Sequence, residues 1–214
     1  MLKKFRTDRL GRMFISLDTW ASALAEKRKV KPPSGSEVLD GIVFELLSRN
    51  HELWLHEDFA RRRDVAAAEI AETKHAIDSL NQRRNDTIER IDEWLLEHHY
   101  GAMAEKNLPL RTETPGSALD RLSILSLKIY YMSEQTKRTD VDDAHRAECR
   151  ARLRVLKRQQ RNLREALKQV LSDLNRGVIR MIVYRQFKMY NDPALNPQLY
   201  DKKARGNSRP KNNG

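Results

Sequence analysis

The sequence predicts an all-α fold, an antiparallel four-helix bundle with an extended C-terminal strap, and three observations predict it. Between Ser36 and Tyr100 there is no proline, and no glycine follows Gly41. Apolar residues recur through that span at every third or fourth position, the period of one helix face. From Asp142 to Asn175 a heptad seam of Cys149, Leu153, Leu156, Leu163, Leu167, Val170 and Leu174 is broken by a single polar residue, Gln160.

Residues 1–35 read as a basic N-terminal extension and linker outside the bundle domain of 36–200. Leu2, Phe5, Leu10, Met13 and Phe14 stand among basic residues, and two readings follow: an amphipathic surface helix, or a floppy basic arm. On either reading residues 1–30 are dispensable for folding and give at most peripheral membrane contact. The basic start and ASALA at 21–25 mimic a signal peptide, but the apolar stretch ends at Asp18, too short for an h-region. KPPSG at 31–35 stops any helix.

The first helix is expected over 37–61, capped by Ser36, with a seam of Leu39, Val43, Leu46, Asn50, Leu53, Glu57 and Ala60. A turn near Arg61–Asp64, with Asp64 as N-cap, leads into a second helix over 65–98. The seam of this helix, Ile70, Lys74, Ile77, Asn81, Arg84, Ile88, Ile91 and Leu95, is interrupted by three polar residues, and Asp78, Asn85 and Asp92 flank it. Polar groups on a buried seam cost several kcal/mol unless partnered. If the two helices pair antiparallel, their interruptions meet at matching heights, and that coincidence marks a site.

After a loop over 101–115, a third helix is expected over 117–138, apolar on nearly every side and therefore central. Its Asp120, Arg121, Ser123 and Lys128 then need partners. A fourth helix over 142–176 ends at Gly177. Residues 178–200 read as the strap, and 201–214 as a disordered basic tail.

Of the net charge of +11, residues 1–12 hold +4 and residues 202–214 hold +5, so the body is nearly neutral. A nucleic-acid partner is therefore not expected for the body. The lone Cys149 permits no intrachain disulfide and favours a reducing, cytoplasmic setting. No apolar run approaches the ~18 residues of a membrane span.

Two strings, DRLSILSLKIYYM (120–132) and QFKMYNDPALNPQLY (186–200), resemble the RLSI and FKMYN signatures of a bacterial family called domain of unknown function 4254. LWLHEDFAR (53–61) and IDSLNQRRNDTIERID (77–92) resemble it too, so the likeness covers about 37–200. The resemblance implies a bacterial protein of unassigned activity, set among cell-envelope glycosyltransferase genes. A role in glycan assembly and a glycosyltransferase partner follow from it as expectations.

Four chemistries compete. Gly116, Ser117, Asp120 and Arg121 place free N–H groups and a guanidinium at a helix start, an anion site; the plain alternative is a capping box with Arg121 on a nearby acid. Glu57, Asp58, Asp78, Asp86, Glu89 and Asp92 suggest Mg²⁺ and a diphosphate, as in all-α nucleotide pyrophosphohydrolases; a solvated charged face is the plain alternative. His51-Glu52 and His56 resemble a zinc motif but are one residue too far apart, so no metal ligand is assigned. Last, Asn50, Glu57, Lys74, Asn81, Arg84 and Gln160 either line a pocket or fix helix register as a scaffold.

The pocket is the preferred reading, with a phosphorylated or sugar-nucleotide ligand met by Lys74, Arg84 and Arg121 and oriented by Asp78, Asn81 and Asn85. Trp54, Lys128, Lys188 and Asn191, which lie in the resembling strings, complete the candidate set. The charged faces of the long fourth helix leave homo-oligomer formation open.

Overall fold

The computed structural model describes residues 4–30, 38–101, 107–187, 189 and 192–197. Among them the protein is all-α. The helices are α1 (Arg9–Ala25), α2 (Val38–Ala60), α3 (Ala67–Leu95, continued by a π-helical turn to Tyr100), α4 (Pro115–Gln135) and α5 (Asp143–Arg176). No described helix is long and apolar enough to cross a membrane. The linker at 31–35, Ser36 and the tail after 201 lie outside the described residues.

Four of the helices fall where their apolar periods place them, with starts one residue off at α2 and α5 and two off at α3 and α4. The α3 N-cap is Ala66, not Asp64, whose carboxylate is held instead by Arg62 at 2.5 Å. Alanine has no side-chain acceptor, so the first turn is served from within: Glu69 accepts from the Ala66 N–H at 3.1 Å. At α4 the cap is Thr114, which accepts from the Ser117 N–H at 3.1 Å, with Pro115 in the first helical position. Gly177 closes α5 in the left-handed region at φ 67°.

α2 and α3 run antiparallel: Arg49 Nε donates to Thr87 Oγ1 at 3.1 Å, while Glu45, one turn earlier, meets Arg90 further along α3 at 2.9 Å. α4 and α5 form a second antiparallel hairpin, with Ser126 opposite Gln160 at 3.0 Å and Arg111 before α4 opposite Asp173 at 3.7 Å. α4 also packs against α1, α2 and α3, the central place its all-round apolar sequence demands.

The reading of 1–35 as an extension apart from the bundle is corrected by α1. Leu10, Met13, Phe14, Leu17 and Trp20 are each 5% exposed or less and share one core with Leu46, Leu122 and Leu167. They recur at 3–4-residue spacing, one continuous stripe. Asp18, which ends the apolar run in the sequence, lies half-buried beside that stripe. It accepts from Ser126 Oγ at 2.7 Å, Gln160 Nε2 at 2.9 Å and Arg164 at 2.7 Å. Further out, Asn175 clasps the backbone of Phe5 through two hydrogen bonds of 3.0 and 2.8 Å and accepts from the Tyr100 hydroxyl at 3.1 Å.

The chain divides into two compact units, Met1–Tyr184 and Arg185–Gly214. Within the first, the start of the expected strap runs beside the loop before α4: the Arg180 N–H donates to Pro109 O at 3.0 Å, and Leu110 and Arg180 form an isolated parallel bridge. In the second, the described residues form a short turn in which Asp192 accepts from the Ala194 N–H at 2.8 Å.

Because α1 supplies core, removing residues 1–30 should abolish the cooperative thermal transition rather than leave it unmoved. Leu17→Ala, at a fully buried position, should lower unfolding free energy by about 2–5 kcal/mol in urea titration. A loss under 1 kcal/mol would show that α1 does not hold this place.

Candidate functional site

Three helices converge on one buried carboxylate. Asp120, on the first turns of α4 and 4% exposed, accepts from Arg84 of α3 through Nε at 2.8 Å and through a second, shorter contact from Nη2. Asn50 of α2 donates to the same Asp120 Oδ1 at 2.9 Å and to Ser123 Oγ at 2.7 Å, and Ser123 donates back to the Asp120 carbonyl at 2.8 Å. Two polar interruptions, Asn50 and Arg84, are thus joined by a third helix. Neither meets the other's helix alone, as simple pairing of the two seams would have it.

Directly beside this junction lies a cleft of about 400 Å³ between α2, α3 and α4. Asn50, Trp54, Glu57, Asn81, Arg84 and Lys128, all expected in a site, line it together with Leu53, Asp58, Arg61, Ile124 and Leu127. Its charges divide by partner. Glu57 is held by Arg61 at 2.9 Å and Arg84 by Asp120. Lys128 is exposed and makes no ion pair or hydrogen bond with any described residue.

One wall is aromatic. Trp54 stacks on Tyr131 with centroids 4.9 Å apart and planes 13° from parallel, and the His51 ring lies near Tyr131, centroids 6.4 Å apart and planes 10° from parallel. His51 Nε2 is 3.0 Å from the Tyr131 hydroxyl, and burial lowers the imidazole pKa, which keeps it neutral. Burial, with Asp58 nearby, raises the Tyr131 pKa, so its hydroxyl stays protonated. Beyond Trp54 and Lys128 the cleft runs on into an apolar hollow of about 680 Å³ with Met132, Val155 and Leu156. Sequence reasoning offers Asp58 only as a Mg²⁺ ligand and misses Tyr131, for which the one available signal is His51 and Trp54 one helical turn apart on α2.

The remaining candidates lie elsewhere. Lys74 and Asp78 pair with each other at 2.6 Å on the exposed side of α3, and neither they nor Asn85 line the cleft. Gln160 serves the α1–α4–α5 junction through Asp18 and Ser126. Arg121 sits on Glu113 at 2.7 Å, as the plain alternative had it. Lys188 and Asn191 lie outside the described residues.

The place of the anion expected at the start of α4 is taken by a carboxyl group of the protein itself. Asp92 of α3, 2% exposed, accepts from the Gly116 N–H at 2.7 Å. A Cβ at Gly116 would stand 2.6 Å from Ile88 O and 2.8 Å from the Asp92 carboxylate, so only glycine lets the two helices approach this closely. Burial raises the Asp92 pKa from 3.8 to about 7, against the downward pull of Thr114 and the Gly116 N–H. Gly116, Ser117 and Asp92 therefore form a helix–helix joint, and the free-anion site is corrected. Nor do the acids proposed for Mg²⁺ gather: among the described residues no three His, Cys, Asp or Glu come close enough to hold a metal.

A family model described as a protein of unknown function (DUF4254) matches residues 40–183. No curated protein and no solved structure matches the chain.

Arg84→Met should cost roughly 3–5 kcal/mol, since it strands a buried carboxylate. Arg121→Met, at an exposed pair, should cost about 0–1 kcal/mol; equal losses in chemical denaturation would contradict this division. Folded Asp92 keeps its proton to about pH 7, while an unfolded aspartate ionises near ~3.9. The folded state thus binds the extra proton, and stability from this group falls as pH rises from about 4 to about 7. Asp92→Asn should flatten that fall in a pH series of melting curves, whereas Gly116→Ala should destabilise by about 1–3 kcal/mol at every pH.

Proposed function

The chain belongs to the DUF4254 family, and we propose that its α2–α3–α4 cleft binds a phosphorylated small molecule with a flat ring, of the nucleotide or nucleotide-sugar class. One observation carries the reading: Lys128, a cation with no ion pair among the described residues, lines the same cleft as a stacked tryptophan and tyrosine. A lysine ammonium is a compact point charge that suits phosphate. Stacking of a base on an aromatic face contributes about 1–3 kcal/mol and asks little of base identity. Asn81, Glu57 and Asp58 stand on the same cleft and suit ribose or sugar hydroxyls.

Arg84, Lys74 and Arg121 drop out of the earlier ligand scheme because each has an acid of its own, and Lys128 replaces them. The envelope-glycan context implied by the resemblance makes a nucleotide sugar the first ligand to try, with a glycosyltransferase as the partner that would use it. A cytoplasmic setting fits such a ligand.

A scaffold reading is favoured by one observation of its own: Asn50, Arg84, Asp120 and Ser123 satisfy one another without a ligand. The two readings part at Lys128, which contributes nothing to that network.

A thermal-shift screen of nucleotides, nucleotide sugars and sugar phosphates, with and without Mg²⁺, tests the proposal. A ligand at 100 times its Kd should add about 2.7 kcal/mol of stability. Lys128→Met should leave the ligand-free melting temperature within a degree or two and lose most of the shift; Trp54→Leu should lose it as well. No shift with any compound, or a shift that both variants keep, sinks the cleft as the site and leaves the scaffold.

A further inference from the structure

The near-neutral body conceals a separation of charge. α5 holds ten Lys/Arg against four Asp/Glu, a surplus of +6, while α2 holds one arginine against five acids. On α5 the surplus is ordered. Arg150, Arg154, Lys157, Arg158 and Arg161 are all exposed, and none makes an ion pair or hydrogen bond with a described residue; Arg150 reaches only through its field on Asp143. At 100° and 1.5 Å per residue the five fall within an arc of about 100° and along about 16 Å of helix.

Three pairs in this stripe, 150/154, 154/158 and 157/161, set like charges four residues apart, an arrangement that weakens a helix. Helix faces exposed only to water ordinarily intersperse both signs at that spacing. Elsewhere on α5 this is what occurs: Arg152 pairs with Glu148, Lys168 with Glu165 and Arg176 with Asp173. The stripe alone lacks its acids.

We propose that this stripe docks the phosphate backbone of a duplex nucleic acid. Four of the five cations are arginines, whose planar fork matches phosphate oxygens two at a time. They stand on a single convex helix about 10–12 Å across, which suits a major groove about 12 Å wide. A membrane surface is the weaker fit. Of the large apolar residues of α5 only Val155 is exposed, and Leu163, Leu167, Leu171 and Leu174 are buried in the core, so the helix has too little apolar face to sink into the interface. Contacts to phosphate alone confer no sequence preference.

The test is fluorescence anisotropy of the full-length protein with a labelled 20-base-pair DNA duplex across a salt series. With five phosphate contacts the logarithm of affinity should fall against the logarithm of salt with a slope of about −4.5, at roughly −0.9 per contact. Arg154→Ala, Arg158→Ala and Arg161→Ala together should lower that slope by about 2.7, and the matching triple lysine variant should restore most of it. All variants keep the basic termini and should melt as the wild type does. A slope unchanged in the triple alanine variant would assign the binding to the termini and overturn the proposal. Absence of duplex binding would overturn it equally, as would stripe-dependent binding only to vesicles containing phosphatidylserine.

Discussion

The Asp120 carboxylate is the constraint on which the arrangement of α2, α3 and α4 depends. Taking a carboxylate and a guanidinium out of water costs several kcal/mol per ion, recovered only with near-complete hydrogen bonding. Here Arg84 approaches in fork geometry, Asn50 adds a further donor, and Ser123 satisfies Asn50 in turn. The net gain over an apolar triad of similar volume is small, so the network is better understood as fixing register. A one-turn slip of any of the three helices would leave a buried charge without its partner. That fixed register is what sets Trp54, Asn81 and Lys128 around one opening.

A second polar joint does for the outer helices what Asp120 does for the inner ones. Asp18 draws Ser126, Gln160 and Arg164 together and so ties α1 to the α4–α5 hairpin. The Arg164 guanidinium also lies over the Phe14 ring at 5.2 Å, a cation–π contact in a partly dried site. The third joint, Asp92 on Gly116, differs in having no cation. Its carboxyl oxygen accepts from a backbone N–H at the start of α4, and burial leaves its proton on up to about pH 7.

The helices were legible because their apolar periods are long and their breakers few. The polar interruptions were legible as a group, and Asn50, Glu57, Asn81 and Arg84 do share one cleft. What periodicity could not convey is which helix answers each of them. Asn50 and Arg84 are separated by 34 positions, and their common partner comes from a third helix that a two-helix pairing omits. Lys74 sits on the same nominal seam, yet the face that α3 buries at that height runs through Thr73, Ile77 and Leu80, the last two clustered with Leu53 and Ala60 of α2, so its ammonium is exposed and pairs with Asp78. α1 was hidden by composition: five basic residues among the first twelve suggested a solvated arm, and Asp18 seemed to end the apolar stripe that it in fact anchors. Net charge misled in the same way, because summing over the body cancelled a basic α5 against an acidic α2.

The central claim is that the cleft beside Trp54 receives the ligand, and the protein has a built-in reporter of it. There are only three tryptophans in the chain: Trp20 in the α1 core, Trp94 at the π-helical turn against His98 and His99, and Trp54 on the cleft. A nitrogen-15 spectrum of the uniformly labelled protein during titration with a nucleotide sugar resolves their three indole N–H signals. The account predicts that the Trp54 signal moves in a saturable way while those of Trp20 and Trp94 stay in place. A bound ligand that shifts Trp94 or leaves Trp54 unmoved would contradict it.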